Sequence, residues 1–278
     1  MIYAPKFIAV GLCLFAAIQG ANAKELKLDD LFPKDRLLEV NISIAEQDWD
    51  KIRYQRRTRE NALPPSRQFE PPPPPYSYVE ASVTIDGVTF PKVGLRKKGF
   101  LGSQDTTRPS LKVKLDYIEK EGNIDGLQDL TLNNNRQDTS LMSQFMGYAI
   151  WDTAGAPGSR CAFAKVTVNG RNLGVYCHVE TIREPLLRRE FGSDKGTLFE
   201  GTVVDFYPDW EGSFERKTGD DKKGRAYLVK VIKAMQGGNG EPFFGGEVPG
   251  RAWVPDSDAH DAAWFKSSFD DSSWVAGT

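Results

Sequence analysis

Two tight β-hairpins constrain the fold of this chain more than any other feature of its sequence. The pairs Asp86-Gly87 and Asn169-Gly170 each separate two runs in which apolar and polar residues alternate. A two-residue hairpin turn of the primed type needs positive φ angles at both central positions, which Asp-Gly and Asn-Gly adopt at low cost. The chain is therefore predicted to pair antiparallel strands over residues 78–93 and again over residues 163–176.

Strands dominate the first two thirds of the chain, with one apolar helix among them. Further short strands are predicted at residues 40–44, 110–115 and 127–132. Residues 141–151 follow a good N-cap, Asp138, and carry little charge, which predicts a deeply buried helix. The predicted fold class is therefore α+β, an antiparallel sheet with a buried helix.

Three shorter helices and one irregular segment complete the predicted elements. Amphipathic helices are expected at residues 45–54, 184–191 and 226–235, the first with Trp49 and Ile52 on one face. An insert at residues 61–76 is rich in proline, and the proline run within it favours extended polyproline II. The insert is expected to be an exposed spacer, and a ligand for a proline-binding partner is the alternative.

Residues 1–23 have the three parts of a secretory signal peptide. Lys6 supplies the positive charge, residues 7–18 supply an apolar core, and Ala21-Asn-Ala23 supplies a small-residue cleavage site. The apolar core is short for a membrane span, so cleavage before Lys24 is expected, and a retained anchor is the alternative. No later segment is apolar enough to cross a bilayer. The mature chain is therefore predicted to be exported, to the periplasm, the cell surface or the extracellular space.

Residues 236–278 differ in character from the predicted main region at residues 24–235. They contain loop-like glycine runs and the tryptophans Trp253, Trp264 and Trp274, which recur at intervals of about ten residues. This pattern is typical of the first strands of a β-sandwich module. The expectation is a linker followed by the start of such a module, and a fragment or shifted reading frame of a longer enzyme is one of the alternatives for the chain as a whole.

The charge balance and the cysteine count exclude several classes of partner. The chain has 36 Lys and Arg against 38 Asp and Glu, a net charge of −2, so no basic field points to nucleic acid. With few histidines and no paired cysteine spacing, no metal centre is predicted. Cys161 and Cys177 lie on the two arms of the second hairpin, where a disulfide and two buried free thiols fit the pattern equally well.

A glycine-containing loop between two strands is the first candidate for chemistry. In Gly99-Phe-Leu-Gly-Ser103, Gly99 and Gly102 allow backbone N–H groups to approach a phosphate, and Ser103 adds a hydroxyl donor. Taken alone, the loop fits ordinary turn chemistry better, because it lacks the complete spacing of a phosphate-binding loop. Its position just before a lysine-bearing strand is what favours a phosphate site.

Two lysines and one glutamate complete the candidate site. Lys112 and Lys114 share one face of the predicted strand at residues 110–115, because side chains alternate along a strand. A solvated lysine face is the alternative to a phosphate-binding one. Glu180 ends the strand that follows the second hairpin, either as a surface acid or as the partner of a lysine in a nucleotide site.

These segments, in their order and spacing, resemble the CotH (spore coat protein H) kinase family in its secreted bacterial form. The resemblance covers about residues 36–235 and includes the motifs Arg108-Pro-Ser-Leu-Lys-Val-Lys-Leu115 and Leu130-Thr-Leu-Asn-Asn-Asn135 with Asp138. The other matching segments are residues 93–103, 155–161, 166–170, 174–180 and 198–201.

The resemblance implies the N-terminal lobe of an atypical, secreted protein kinase. It implies ATP with Mg²⁺ or Mn²⁺ as the cofactor, phosphoryl transfer as the activity, and a secreted or surface protein as the phosphate acceptor. The implied cofactor-binding residues are Gly99, Gly102 and Ser103 at the phosphates, Lys112 or Lys114 on the α- and β-phosphates, and Glu180 near the hinge or a lysine.

The sequence departs from the family pattern at two points. The helix at residues 141–151 carries Gln144 where a kinase places the glutamate that orients its lysine. The C-terminal lobe with its catalytic and metal-binding aspartates is not found, so no catalytic residue is assigned. Phosphoryl transfer is therefore expected to be incomplete in this chain. The alternative function is that of a non-catalytic structural or adhesive protein, similar to a coat component.

Overall fold

The computed structural model describes residues 25–237 and two short strands beyond them, Gly250–Ala252 and Val275–Gly277. These two strands pair antiparallel with each other. The predicted signal peptide and the three tryptophans of the predicted β-sandwich module lie outside the described residues.

Seven strands form a closed barrel. They are β1 (Leu38–Ser43), β2 (Val79–Ile85), β3 (Val88–Lys98), β4 (Ser110–Lys114), β5 (Asp129–Asn133), β6 (Cys161–Val168) and β7 (Arg171–Glu180). The order around the barrel is β1-β2-β3-β4-β5-β7-β6, and every neighbouring pair is antiparallel except β1 and β6. The α+β class is confirmed. The predicted antiparallel sheet is in fact a barrel whose two meeting edges run parallel, which leaves neither edge strand unpaired.

Helices and a second two-stranded sheet accompany the barrel in the described part of the chain. The helices are α1 (Glu46–Arg53), α2 (Arg59–Ala62), α3 (Ser143–Thr153), α4 (Glu184–Phe191) and α5 (Asp221–Gly237). Strands β8 (Leu198–Gly201) and β9 (Phe214–Thr218) pair with each other, and Phe214 packs on Leu228 and Ile232 of α5. No described helix combines the length and the apolar character that a bilayer span needs.

The two Asx–Gly hairpins are confirmed. Asp86 and Gly87 have φ angles of 46° and 88° between β2 and β3. Asn169 and Gly170 have φ angles of 49° and 78° between β6 and β7. All four residues are therefore in the left-handed region, as a primed turn requires.

The same two turns hold both ends of β1. The Asp86 carboxylate accepts a hydrogen bond from the Glu39 N–H at 2.9 Å, near the start of the strand. The Asn169 amide accepts from the Ile44 N–H at 2.9 Å and donates to the Ile44 carbonyl at 2.8 Å, just beyond the strand's end. Strand β1 is thus fastened between its neighbours by side chains whose positions are set by the turns.

The barrel interior is apolar because alternate residues of each strand point inward. On β1 the residues Leu38, Val40 and Ile42 are buried while those between them are exposed. Tyr176 on β7 lies opposite Ala164 on β6, and its hydroxyl donates to the Pro109 carbonyl at 3.1 Å. The small alanine leaves room for the ring, and the hydrogen bond satisfies its buried hydroxyl.

Helix α3 is not buried, contrary to the prediction from its low charge. None of its residues is buried, and Ile150 and Trp151 are 63% and 56% exposed. The helix lies on the outside of the barrel, where Phe145 stacks on Phe163 of β6 at 4.9 Å. Because the barrel interior is already filled by strand residues, an apolar helix has no place inside it. The other predicted helices are confirmed, with Trp49 and Ile52 of α1 buried in the core.

The proline-rich insert is partly ordered by short helical turns. Residues 71–75 lie in neither helix nor strand, as predicted. The part before them contains the end of α2 and a single 3₁₀ turn, Pro65–Gln68. A proline at the first position of such a turn suits its fixed φ angle.

We expect Asn169 to contribute to stability through its side chain as well as its backbone conformation. Asn169→Gly keeps the positive φ angle but leaves the Ile44 backbone groups without partners, which should lower the free energy of unfolding by about 1–3 kcal/mol. Asn169→Ala should cost about 1 kcal/mol more, because alanine is strained in the left-handed region. Urea unfolding measures both. Equal stability of the wild type and Asn169→Gly would show that this turn does not fasten β1.

Candidate functional site

The glycine loop is a closed turn at the end of β3. The Ser103 hydroxyl accepts a hydrogen bond from the Phe100 N–H at 3.0 Å and donates to the Phe100 carbonyl at 3.2 Å. Gly99 has a φ angle of 125°, and a Cβ there would lie 2.5 Å from the Ser103 hydroxyl. At Gly102 a Cβ would lie 2.3 Å from the side chain of Gln137. Gly99 is therefore required by its backbone conformation and by close approach, whereas a side chain at Gly102 would have to displace the flexible end of Gln137.

Asn134 joins the glycine loop to the end of β5. Its side chain is buried and donates to the carbonyls of Ser103 and Arg108, at 3.1 and 2.8 Å. Its backbone N–H donates to the Ser110 hydroxyl at 3.0 Å. The loop before β4 and the polar residues after β5 are therefore held side by side.

Lys98 is a lysine with a neutral partner in this region. Its Nζ donates to the Asn133 side-chain oxygen at 2.5 Å, and among the described residues no carboxylate forms an ion pair with it. Burial and, to a smaller extent, the nearby charges of Lys112 and Arg96 lower the pKa of Lys98 to about 8, against a smaller opposing effect of Glu200. Loss of hydration without a compensating carboxylate makes such an amine a strong partner for an anion.

Lys98, Arg96 and Lys112 form a cationic patch on the outer face of β3 and β4. Register pairs Arg96 with Lys112, and the side chain of Lys98 lies one step along the same face. Lys112 is 16% exposed and forms an ion pair with Asp129 at 3.3 Å. Arg183 also contacts Asp129, at 3.6 Å. The Asp129 carboxylate is thus shared by Lys112 and Arg183, so the patch keeps an excess of positive charge.

Helix α3 borders the same region through its first turn. The Asp138 carboxylate accepts from the Ser143 N–H at 2.8 Å and from the Ser140 hydroxyl at 2.6 Å, and these bonds lower the pKa of Asp138 to about 2. Gln144 accepts from the Asn133 side-chain amide at 2.8 Å. Asn133 therefore links Gln144 to Lys98, near the position where the sequence predicted a helix residue to meet a lysine.

These groups enclose a cavity of about 350 Å³. Its walls come from the glycine loop, the end of β5 and the start of α3. The lining residues are Lys98, Gly99, Phe100, Ser103, Ser110, Asn133, Asn134, Asn135, Arg136, Gln137, Asp138, Ser143 and Gln144. We call this cavity the glycine-loop pocket.

The structure brings some of the predicted site residues together and leaves others apart. Gly99 and Ser103 line the glycine-loop pocket, and Gly102 lies in the same loop but is exposed. Lys112 and Lys114 share the outer face of β4, as predicted, but do not line the pocket; Lys114 pairs with Asp116 at 3.7 Å. Their roles and that of Gly102 in binding a nucleotide stay predictions.

Glu180 lies outside the glycine-loop pocket, in a buried ion-pair cluster at the end of β7. Its side chain is fully buried. Arg189 of α4 donates to both carboxylate oxygens at 2.6 and 2.7 Å, and Arg160 donates at 3.1 and 3.3 Å. The structure places two arginines, rather than a lysine, around this carboxylate.

Lys98, Asn133 and Asn134 are among the pocket residues that sequence reasoning missed. Lys98 comes directly before the glycine loop, and Asn133 and Asn134 belong to the polar run after β5. Both features were therefore visible in the sequence, as a lysine next to a glycine and as an asparagine run. The asparagine run and the glycine loop are brought together by the pairing of β4 with β5.

The residues of the pocket do not form a metal site of their own. Across the described part of the chain, no group of three or more His, Cys, Asp or Glu side chains lies close enough to hold an ion. Asp138 is the carboxylate that lines the pocket, and both of its oxygens already accept hydrogen bonds. A Mg²⁺ or Mn²⁺ ion would therefore have to arrive with a ligand that supplies oxygens.

A larger cavity lies elsewhere but suits an anion less well. It measures about 700 Å³ and is formed by β8, α5 and the segment between β9 and α5. Phe199, Leu228 and Val231 give it apolar walls, and its lysines Lys195 and Lys223 are matched by Asp194 and Asp220. With no excess of positive charge, it is a weaker candidate for a phosphate than the smaller glycine-loop pocket.

Comparison with known proteins adds two findings. The family model of the CotH kinase proteins matches residues 95–240, just over half of this chain. An inner spore coat protein H-like protein of Bacillus subtilis (strain 168) is 28% identical over 102 residues, which cover 34% of this chain and 33% of the relative. The match thus spans about a third of the length of that relative. The glycine loop, Lys98 and α3 all lie inside the family match.

We expect Glu180 to be essential for stability. Glu180→Gln leaves two partly buried guanidinium groups without their shared carboxylate, which should lower the free energy of unfolding by about 3–5 kcal/mol. Glu190→Gln is the matched control, because Glu190 contacts Arg189 at 2.9 Å but is more exposed and should cost less than about 1 kcal/mol. Denaturant unfolding distinguishes the two. A small cost for Glu180→Gln would contradict a structural role for the cluster.

Proposed function

This chain belongs to the CotH kinase protein family, and we propose that its barrel binds ATP, with the phosphates held in the glycine-loop pocket. The lobe around this pocket, built from β3, β4, β5 and α3, would then correspond to the N-terminal lobe of an atypical protein kinase. A secreted or surface protein would be the phosphate acceptor, in keeping with the predicted export signal.

The observation that carries the proposal is the position of Lys98. Its amine is desolvated, its hydrogen-bond partner is the neutral Asn133 amide, and it lines the pocket that the glycine loop encloses. A phosphate oxygen in the pocket would supply the negative charge that the protein does not. An ionised donor and acceptor form stronger hydrogen bonds than neutral groups do, so this exchange favours binding.

Nearby charge adds to the support for an anion in the pocket. The neighbouring Lys112 and Arg96 add to the positive field at Lys98. A pocket of about 350 Å³ suits phosphate groups rather than a whole nucleotide. The remainder of the ATP molecule is expected to lie outside it, over the outer face of the barrel.

The chemistry proposed for these residues is positioning and charge neutralisation. Phosphoryl transfer depends almost entirely on holding the phosphates and compensating their charge, which Lys98 and the loop would do. A divalent ion bound with ATP would supply further charge compensation. The groups that activate a protein acceptor are not assigned to any described residue.

A structural role is the second candidate function. It rests on the spore-coat name of the Bacillus subtilis relative and on the exposed apolar residues of α3. A purely structural protein has no reason to bind ATP, so nucleotide binding distinguishes the two candidates.

We expect isothermal titration calorimetry to detect ATP binding by the purified chain in MgCl₂ or MnCl₂. Lys98→Met should weaken binding at least about tenfold, roughly 1.4 kcal/mol, because a charge-assisted hydrogen bond to phosphate is lost. Lys112→Met, whose native charge is partly met by Asp129, should weaken it less. The control is Lys165→Met, another outward strand lysine, which pairs with Glu39 at 3.5 Å and lies outside the pocket.

The affinity should also depend on pH in a defined direction. Lys98 must be protonated to bind phosphate, and its pKa is about 8, so affinity should fall as the pH rises from 7 to 9. This slope should disappear in Lys98→Met. Equal affinities of the wild type and Lys98→Met would remove Lys98 from the site. No binding by a folded wild-type chain would reject the nucleotide proposal and favour the structural role.

A further inference from the structure

Two cysteines lie next to each other on the outside of the barrel. Cys161 begins β6, and Cys177 lies on the neighbouring strand β7. The register pairs Cys161 with Val179 and Phe163 with Cys177, so the two cysteines are diagonal neighbours on one face. Both are free thiols in the structure. The proposed ATP site makes no use of either one.

The two thiols influence each other's protonation, and the loop beyond β5 contacts the inner one. The Cys177 sulfur accepts a hydrogen bond from the Asn135 side-chain amide at 3.0 Å, and its thiol donates to the Leu141 carbonyl at 3.8 Å. Hydrogen bonding by Cys161 and Asn135 lowers the pKa of Cys177 to about 7, while the neighbouring Cys177 and burial raise the pKa of Cys161. The pair therefore loses its first proton more readily than an isolated buried thiol does.

One of the two sulfurs is accessible. Cys177 is fully buried, whereas Cys161 is partly exposed. Cys161 lines a cavity of about 510 Å³ that Tyr148, Arg160 and Arg189 also line. A small oxidant can reach Cys161 through this cavity but cannot reach Cys177 directly. Cys161 is thus the thiol that can react with an oxidant first, and Cys177 is the thiol that can react second.

We propose that Cys161 and Cys177 form a thiol–disulfide exchange site that takes a disulfide-class oxidant. The Cys161 sulfur passes its proton to the Cys177 thiolate and attacks one sulfur of the oxidant, and the other half leaves as a thiolate that takes up a proton. The Cys177 sulfur then attacks Cys161, and the second half leaves in the same way. The two protein thiols lose two electrons and two protons, and the oxidant becomes two thiols.

The register of the strands indicates that this site is reversible rather than a permanent crosslink. Diagonal neighbours on an antiparallel pair are about 7–8 Å apart, beyond the usual Cα separation of a disulfide. Closing the bond therefore requires a small shift at the ends of β6 and β7. A disulfide that stores strain is reduced more easily than a relaxed one. The sequence left a disulfide and free thiols as alternatives, and this geometry makes them two states of one site.

The test uses the purified chain with Cys13→Ser in every sample, so that two cysteines remain. The folded chain is incubated with oxidised glutathione, trapped with N-ethylmaleimide and analysed by mass spectrometry. We expect an intramolecular disulfide that reduced glutathione reopens. Closure should be at least about tenfold faster in the folded chain than in the urea-unfolded chain, because the fold holds the sulfurs together.

Two variants separate the roles of the sulfurs. Cys177→Ser should accumulate glutathione on Cys161, because no second thiol displaces it. Cys161→Ser should stay unmodified, because Cys177 is buried. The proposal is overturned if the folded wild-type chain keeps both thiols free while the unfolded chain is oxidised, or if it ends with glutathione on both cysteines.

Discussion

The closure of the barrel by β1 is the interaction on which the rest of the structure depends. Strand β1 pairs antiparallel with β2 and parallel with β6, so it is the element that joins the two edges of the sheet. Asp86 and Asn169 hold its ends by hydrogen bonds to Glu39 and Ile44. Asp86 and Asn169 also have the positive φ angles that their turns require. The two hairpins and strand β1 therefore stabilise each other. Loss of either turn would release one end of β1 and leave the edges of the sheet unpaired.

Closure also determines which side of the sheet is available for chemistry. The interior is filled by side chains such as Leu38, Val113 and Tyr176, so polar groups that bind a ligand must lie on the outer face or at the strand ends. The cationic patch on β3 and β4, the glycine loop and the first turn of α3 meet on that outer face. The thiol pair of β6 and β7 occupies another part of the outer face. Both proposed sites thus follow from a barrel whose inside is already occupied.

The sequence predicts what depends on neighbouring residues and misses what depends on distant ones. The two hairpins, the buried face of α1 and the alternation on β4 were correct because each follows from local turn chemistry or periodicity. The parallel pairing of β1 with β6 joins residues far apart in the chain, such as Leu38 and Ala164, and has no local signal. Helix α3 was wrongly predicted to be buried because its low charge says nothing about whether the interior has room for it.

The candidate site shows the same division. The glycine loop was found from its composition, and the structure places Gly99 and Ser103 in the pocket. The sequence alone could not show which lysine lacks a carboxylate partner, since Lys98 and Lys112 both point outward. The structure shows that Lys112 pairs with Asp129. Glu180 ends a strand, as predicted, but its surroundings of Arg160 and Arg189 come from other elements.

The most direct test of the central claim is a titration of ATP with MgCl₂ into the isotopically labelled chain, followed by the backbone amide signals in NMR. If the glycine-loop pocket holds the phosphates, the largest shifts should occur at Gly99, Gly102 and Ser103 and at Asn133 and Asn134. Shifts concentrated around the cavity between β8 and α5, or no shifts at all in a folded chain, would contradict the claim.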